Sequence, residues 1–406
     1  MPNNNLKIHN MKKINLRICV IISLICFVGC KNSNQELLPV ISLENSTAIS
    51  VSAIFPNTQI IPLETNESGL FGIMPLQIEA TKDKIFVLNQ LSSHCNILCF
   101  NHSGKFLFSI DKIGKGPEEY TMLCHFCISD EDHLVLTADA GYYLGFDFNG
   151  QFLYKKRHED TYYERQIKKI DSAYIISNDA DEPPVGYDLL SISANTFNII
   201  DKSLAKSPFA KYFRARHAVS LYENNVLFYD STDTIFDISN IHARIPKYAV
   251  DYGKLHRESY AYLKKLSDNN VEYNEFMEEE IALRKEEKFK RAIALFENEN
   301  FLLIAFLEDY PKTLDRMFQN SFLVYDKSNS KTYYSRKMQF DLMGLSNMGD
   351  ISVMGVYDGA FYAIYTPEWT DGDKKKISQS KLLSDELKQQ LAAHTDEDNP
   401  ILIILK

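Results

Sequence analysis

Short apolar runs separated by polar turns fill most of this chain. Ile85-Phe86-Val87-Leu88, Ile97-Leu98-Cys99-Phe100, Leu134-Val135-Leu136 and Phe301-Leu302-Leu303-Ile304-Ala305-Phe306 are typical. Runs this short, rich in aromatic and β-branched residues and bounded by Asn, Asp and Gly, predict buried strands. A different texture occupies residues 254–290, which are rich in Glu, Lys and Leu. There Tyr260, Leu263 and Leu266, then Phe276, Ile281 and Leu283, recur at helical spacing and predict two helices broken at Asp268-Asn269-Asn270. Such a pair either covers one face of the body as a partner-binding lid or buries its stripe on its own neighbours, and the second is the simpler expectation. One more helix is expected over residues 380–393, approached by a solvated loop at residues 371–376.

The runs repeat. Ile97-Leu98-Cys99-Phe100-Asn101-His102-Ser103-Gly104-Lys105-Phe106-Leu107 aligns with Tyr143-Leu144-Gly145-Phe146-Asp147-Phe148-Asn149-Gly150-Gln151-Phe152-Leu153 at a constant offset of 46. Each copy is a strand, an Asn/Asp turn with glycine, and a second strand. Weaker echoes start at Ala173, Asn225, Phe301 and Phe361, which makes six units. A period in the forties with several strands per unit predicts an all-β fold, a six-bladed β-propeller spanning residues 57–406. The helical insertion falls between the fourth and fifth blades, and a short helix precedes a closing strand at residues 401–405. Unrelated hairpins in a sandwich are the alternative. Apolar strands at both ends, residues 59–63 and 401–405, are expected to share the last blade.

The N-terminus reads differently. Lys12, Lys13 and Arg17 precede an apolar run at residues 18–29 that stops at Cys30. Charge, apolar run, small residue and cysteine in that order predict a lipoprotein signal cleaved after Gly29 and acylated on Cys30, with Met11 as a better start than Met1. The run is shorter than the ~20 residues a spanning helix needs. Residues 30–56 then form a lipidated tether. Removing Lys7, Lys12, Lys13 and Arg17 moves the formal net charge from −10 to −14. An acidic surface of this kind excludes nucleic acid as a partner, since that affinity comes from phosphate neutralisation.

Four stretches carry a family resemblance: Ile61-Pro62-Leu63-Glu64-Thr65; Ile113-Gly114-Lys115-Gly116-Pro117-Glu118-Glu119-Tyr120; Asp233-Thr234-Ile235-Phe236 with Pro246-Lys247-Tyr248 and Asp251-Tyr252-Gly253; and Asn399-Pro400-Ile401-Leu402-Ile403. The second resembles an NHL-type repeat. Together they resemble the six-bladed β-propeller lipoproteins of Gram-negative anaerobes. The resemblance implies an outer-membrane, lipid-anchored protein. Because surface-exported relatives carry acidic residues just after the cysteine and Lys31-Asn32-Ser33-Asn34-Gln35 does not, it favours the periplasmic face. The third unit departs most from the pattern.

Motifs for catalysis fail. Gly344-Leu345-Ser346-Asn347-Met348 lacks the last glycine of a nucleophile elbow, and Glu119 stands where a dinucleotide loop needs a third glycine. Cys95, Cys99, Cys124 and Cys127 superficially resemble two zinc pairs, but they fall in or beside strands and are expected to be buried free thiols. No cofactor and no metal site is expected. Candidate ligand contacts are Glu119 and Tyr120, which face either their own turn or the channel mouth, and the basic group Arg214, Arg216 and His217. Asp139, Asp147, Asn178 and Asp179 are the residues that a lactonase-like channel calcium would use. The expected role is a non-catalytic recognition or assembly module for an envelope glycan or peptide. A channel-metal hydrolase or lactonase, and a structural subunit of an envelope complex, are the alternatives.

Overall fold

Each apolar run forms a strand because both of its faces are covered. The computed structural model describes residues 38–406 except 45, 73, 130–131, 140, 158–163, 179–186, 206–211, 213–217, 224, 230–232, 241, 310–318, 336–340, 345–349 and 368. Within it, Ile85 and Val87 point to one neighbouring sheet, Phe86 and Leu88 to the other. Successive side chains of a strand leave opposite faces, so a strand between two sheets must be apolar at every position.

Six such sheets follow in chain order and form the six blades of a propeller. Their innermost strands are Met74–Ala80, Leu123–Ser129, Glu164–Ile170, Val219–Tyr222, Arg291–Glu297 and Asp350–Tyr357, and these neighbour one another around the axis. The third unit, least regular in sequence, has the same four antiparallel strands as the others: Glu164–Ile170, Ala173–Asn178, Tyr187–Ser193 and Ile199–Ala205. No single core exists. An apolar layer fills each gap between adjacent blades, and a seventh cluster joins Leu263, Phe276, Met277 and Phe289 of the helical insertion to Tyr212, which precedes the fourth blade.

The ring closes where the two ends of the described chain meet. Gln59–Pro62 pairs antiparallel with Ile401–Leu405, so the last blade takes its outer strand from the N-terminal segment. Every residue of Ile401–Leu405 is at most 1% exposed, which at roughly 1.5–3 kcal/mol per large apolar side chain makes this strand a principal clasp. Asn399 locks it. Its side chain donates to the carbonyls of Glu64 and Gly69, both at 2.7 Å, and accepts from the Phe71 amide at 2.9 Å, while its own amide donates to Thr65 Oγ1 at 2.9 Å. That is why the first and last of the four family stretches belong together.

Several boundaries differ from the sequence reading. The folded body begins well before residue 57: Val40–Ser42 pairs in parallel with residues 249–251 as a fifth strand of the fourth blade, with Ile41 fully buried. Thr47 then bridges to Tyr333 of the fifth blade, and Ile49, Val51 and Phe55 fill the layer between the fifth and sixth. The short helix Val51–Ile54 is held at its N-terminus by Asp341, whose carboxylate accepts from the Ser52 amide at 3.0 Å. This stretch looks polar in sequence because, among the described residues, only Ile41, Ile49, Val51 and Phe55 are buried in it. The insertion forms the helices Lys254–Asp268 and Tyr273–Lys285. The stretch read as a solvated loop is the helix Asp371–Gln379, started by a capping box between Thr370 and Asp373. The helix before the closing strand is Asp385–Ala393.

Candidate functional site

Five of the six innermost strands carry a register shift at the same level, between Pro75 and Gln77, Leu123 and His125, Glu164 and Gln166, Ala292 and Ala294, and Val353 and Gly355. Bulges re-aim the next side chain. After two of them stands a glutamine that mimics a peptide group. Gln77 donates to the Phe126 carbonyl at 2.6 Å and accepts from the Phe126 amide at 3.2 Å. Gln166 does the same to Val219, at 2.5 and 2.8 Å. These amides tie the first blade to the second and the third to the fourth, where the sheets themselves share no ladder. The repeated Gln77-Ile78 and Gln166-Ile167 is the sequence signal for them, too short to stand out as a motif.

The axis beside these clamps holds a cation of the protein's own. Lys168 of the third blade forms an ion pair with Glu79 of the first, both side chains under one-fifth exposed, and Gln77 donates to the same carboxylate at 2.9 Å. The carboxylates named for a channel calcium serve turns instead. Asp139 accepts from the Thr121 and Met122 amides at 2.8 and 2.7 Å, and Asp147 from those of Asn149 and Gln151 at 2.9 and 2.8 Å. Asp179 and the Asn178 side chain lie outside the described residues.

The ligand contacts named from sequence separate in the same way. Tyr120 is fully buried, its hydroxyl donates to the carbonyls of Cys95 and Ile110, and burial pushes its ionisation upward. It is a core residue and faces no channel. Glu119 folds back on its own turn and accepts from the Gly116 amide at 2.7 Å. A Cβ on Gly114 would fall 1.9 Å from the Glu119 carboxylate, so the loop needs glycine there. Arg214, Arg216 and His217, like Cys30, lie outside the described residues. Cys95, Cys99, Cys124 and Cys127 are free thiols in strands, and burial pushes the Cys99 thiol up to about 12.

A cleft of about 560 Å³ opens between the fourth blade and the root of the helix Lys254–Asp268. Phe236, Tyr252 and Tyr260 line its apolar side, and Asp233, Asp251, Arg244 and Arg257 supply both charges. Two stretches of the family resemblance, Asp233-Thr234-Ile235-Phe236 and Asp251-Tyr252-Gly253, therefore build this wall. The Arg244 guanidinium stacks on the Phe236 ring at 3.7 Å. Asp251 accepts from the Gly253 amide at 3.0 Å and from Arg257 at 2.5 Å, which fixes the first turn of the helix. His256 is sandwiched between Tyr252 and Phe289, with ring centroids 4.2 and 4.8 Å away. Its Nδ1 accepts from the Lys290 amide at 3.0 Å, and burial, aided by the Lys290 charge, lowers its pKa to about 3. The imidazole is therefore neutral with Nε2 protonated, a donor in the wall of an aromatic cleft. Asp233 and Asp251 are engaged with neighbouring groups, Asp233 accepting from the Thr234 hydroxyl at 3.0 Å.

Comparison with known proteins agrees with this architecture. A crystal structure of a Bacteroides fragilis protein described as exported superposes with a TM-score of 0.68 at 19% identity, covering 90% of this chain and 99% of that one. The WD40 domain of Neurospora crassa Pan2 follows at a TM-score of 0.37 and 10% identity, over 72% of each chain. BamB from Moraxella catarrhalis follows at 0.36 and 10%, over 76% of each. No curated protein matches. The family defined as a domain of unknown function, DUF4934, matches residues 38–406, the entire folded body, and the chain belongs to it.

Proposed function

We propose that this protein is an outer-membrane lipoprotein, anchored through Cys30, that acts as a non-catalytic recognition or assembly module and binds an envelope glycan or peptide in the cleft of the fourth blade. The cleft carries this reading. It combines aromatic walls, charges of both signs and a neutral imidazole donor, a lining suited to chains that are polar along their length and apolar on their faces. The axial Lys168–Glu79 pair supports binding over channel-metal hydrolysis, because an ammonium already occupies the carboxylate on the axis. The order of charge, apolar run and cysteine at residues 11–30 supports the anchor, with the periplasmic face favoured.

Two measurements test the proposal. Envelope glycans and peptides that raise the melting temperature in a screen should lose at least about tenfold in affinity in Tyr260→Ala, with an unchanged circular dichroism spectrum. Unchanged affinity removes the cleft from the account. Cys30→Ser should leave the protein in the soluble fraction after detergent-free lysis, and a variant that still sediments with membranes through high-salt washing defeats the anchor assignment.

A further inference from the structure

A pocket of about 390 Å³ opens in the gap between the second and third blades, away from the fourth-blade cleft. Its floor is aromatic. The turn at residues 193–198 holds Phe197 at φ 59°, a left-handed conformation that a bulky side chain rarely adopts, and the Phe197 ring packs against those of Tyr154 and Tyr174, with centroids 5.8 and 5.7 Å away. The Ala194 amide ties this turn to the Ser172 carbonyl at 2.9 Å. Tyr154 is fixed at both ends. A Cβ on Gly145 would fall 2.5 Å from its ring, so the ring lies over that glycine, and its hydroxyl meets His133 Nε2 at 3.0 Å. Backbone strain persists where the surrounding structure fixes it, and such places are often functional.

The wall is cationic. Lys156 comes from the outer strand of the second blade and Lys169 from the innermost strand of the third. Lys169 donates to the Asp171 carbonyl, and its ammonium stands 5.9 Å from the centre of the Tyr174 ring. Lys156 is exposed and makes no hydrogen bond or ion pair among the described residues. In a chain of formal net charge −10, two lysines in one pocket against the single carboxylate of Asp171 form a local focus of positive potential. The fourth-blade cleft, with two carboxylates and two guanidinium groups, has no such excess. We propose that this pocket binds a sugar carrying an anionic group, a carboxylate or a phosphate. The anion pairs with Lys156 and Lys169, and the sugar ring lies against Tyr154. Asp171, Ser172 and Asn195, all exposed on the two turns of the third blade, take the sugar hydroxyls. A neutral sugar leaves the positive charge unanswered, and a bare anion leaves the aromatic floor uncovered.

The test titrates the protein by calorimetry with glucuronate, glucose-6-phosphate, methyl glucoside, glucosamine and inorganic phosphate, and follows backbone amide shifts by NMR. At least one of the two anionic sugars should bind with a Kd of about 1 mM or tighter, at least about tenfold more tightly than the other three compounds. The tighter of the two identifies the anion. Its binding should shift amides around Lys156, Lys169 and Asn195. Lys156→Gln should weaken it about tenfold, while Lys156→Arg should keep it, and because Lys156 is exposed neither change disturbs the blades. The proposal is overturned if neither anionic sugar binds at about 10 mM, or if methyl glucoside, glucosamine or inorganic phosphate binds as tightly. Affinity unchanged in Lys156→Gln, or shifts confined to another part of the ring, overturns it as well. Tyr260→Ala leaves this pocket intact and Lys156→Gln leaves the cleft intact, so the two sites stand or fail separately.

Discussion

The first and second blades are each made from one continuous stretch of chain, whereas the fourth and sixth take a strand from the N-terminal segment. In the first blade the four strands run five to seven residues and the outer hairpin closes on Gly104. In the fourth, three consecutive strands have only four residues each, the inner one carries no bulge, and the layer shared with the third blade is small. What the fourth blade lacks in length is supplied by Val40–Ser42 on its edge and by the helical insertion above it. The lesson is mechanical. A self-contained blade is stabilised by its own hairpins, and a completed blade by contacts far apart in sequence, which leave a cleft where the added parts meet.

Deleting residues 399–406 should break the sixth blade most severely. Five fully buried residues and the Asn399 lock go at once, and apolar edges of Gln59–Pro62 and Ala360–Thr366 are exposed. The expected outcome is aggregation on size-exclusion chromatography. A monomeric product with an unchanged melting temperature contradicts closure by this strand. Ile41→Ala removes the buried contact of the added strand on the fourth blade and should cost about 2–4 kcal/mol in denaturant unfolding. The comparison predicts that early exposure in hydrogen exchange is confined to the fourth blade and its insertion, while the first two stay protected. Uniform loss across all six blades argues against the distinction.

A smaller effect lies in pH. His256 titrates near 6.5 when unfolded and at about 3 when folded, so the unfolded state binds the extra proton between those values. Stability is therefore full above about pH 6.5 and declines as pH falls toward 3, by ~2 kcal/mol at pH 5 at ~1.4 kcal/mol per pH unit. His256→Gln, which still offers an acceptor to the Lys290 amide, should flatten that slope even if it lowers stability overall. A slope identical to the wild type places the acid sensitivity elsewhere.

Much of the architecture was legible in the residues. The constant offset of 46 between the first two blades, the apolar runs without alternation, the helical spacing of residues 254–290 and the apolar strands at both ends report local chemistry, which propagates into structure without help from distant residues. The helix at Asp371–Gln379 was missed because its side chains are mostly charged, with only Ile377 fully buried. Its capping box at Thr370 and Asp373 was the signal available. From sequence, Tyr120 and Glu119 suit either their own turn or the channel mouth, because polar groups in a glycine loop serve both. Whether a hydroxyl meets solvent or two backbone carbonyls depends on Cys95, twenty-five residues earlier.

By itself the sequence determined the strands, the number of units and the closure, because hydrophobic periodicity and turn chemistry act over a few residues. Only the tertiary structure decided that residues 40–42 are a strand of the fourth blade, that Lys168 meets Glu79 across the axis, and that Phe236, Tyr252 and His256 share one cleft. Those pairings join groups dozens of residues or more apart, or turn on which side of a blade a chain passes. They are fixed by how six wedge-shaped layers pack around an axis, a geometry that no local pattern encodes.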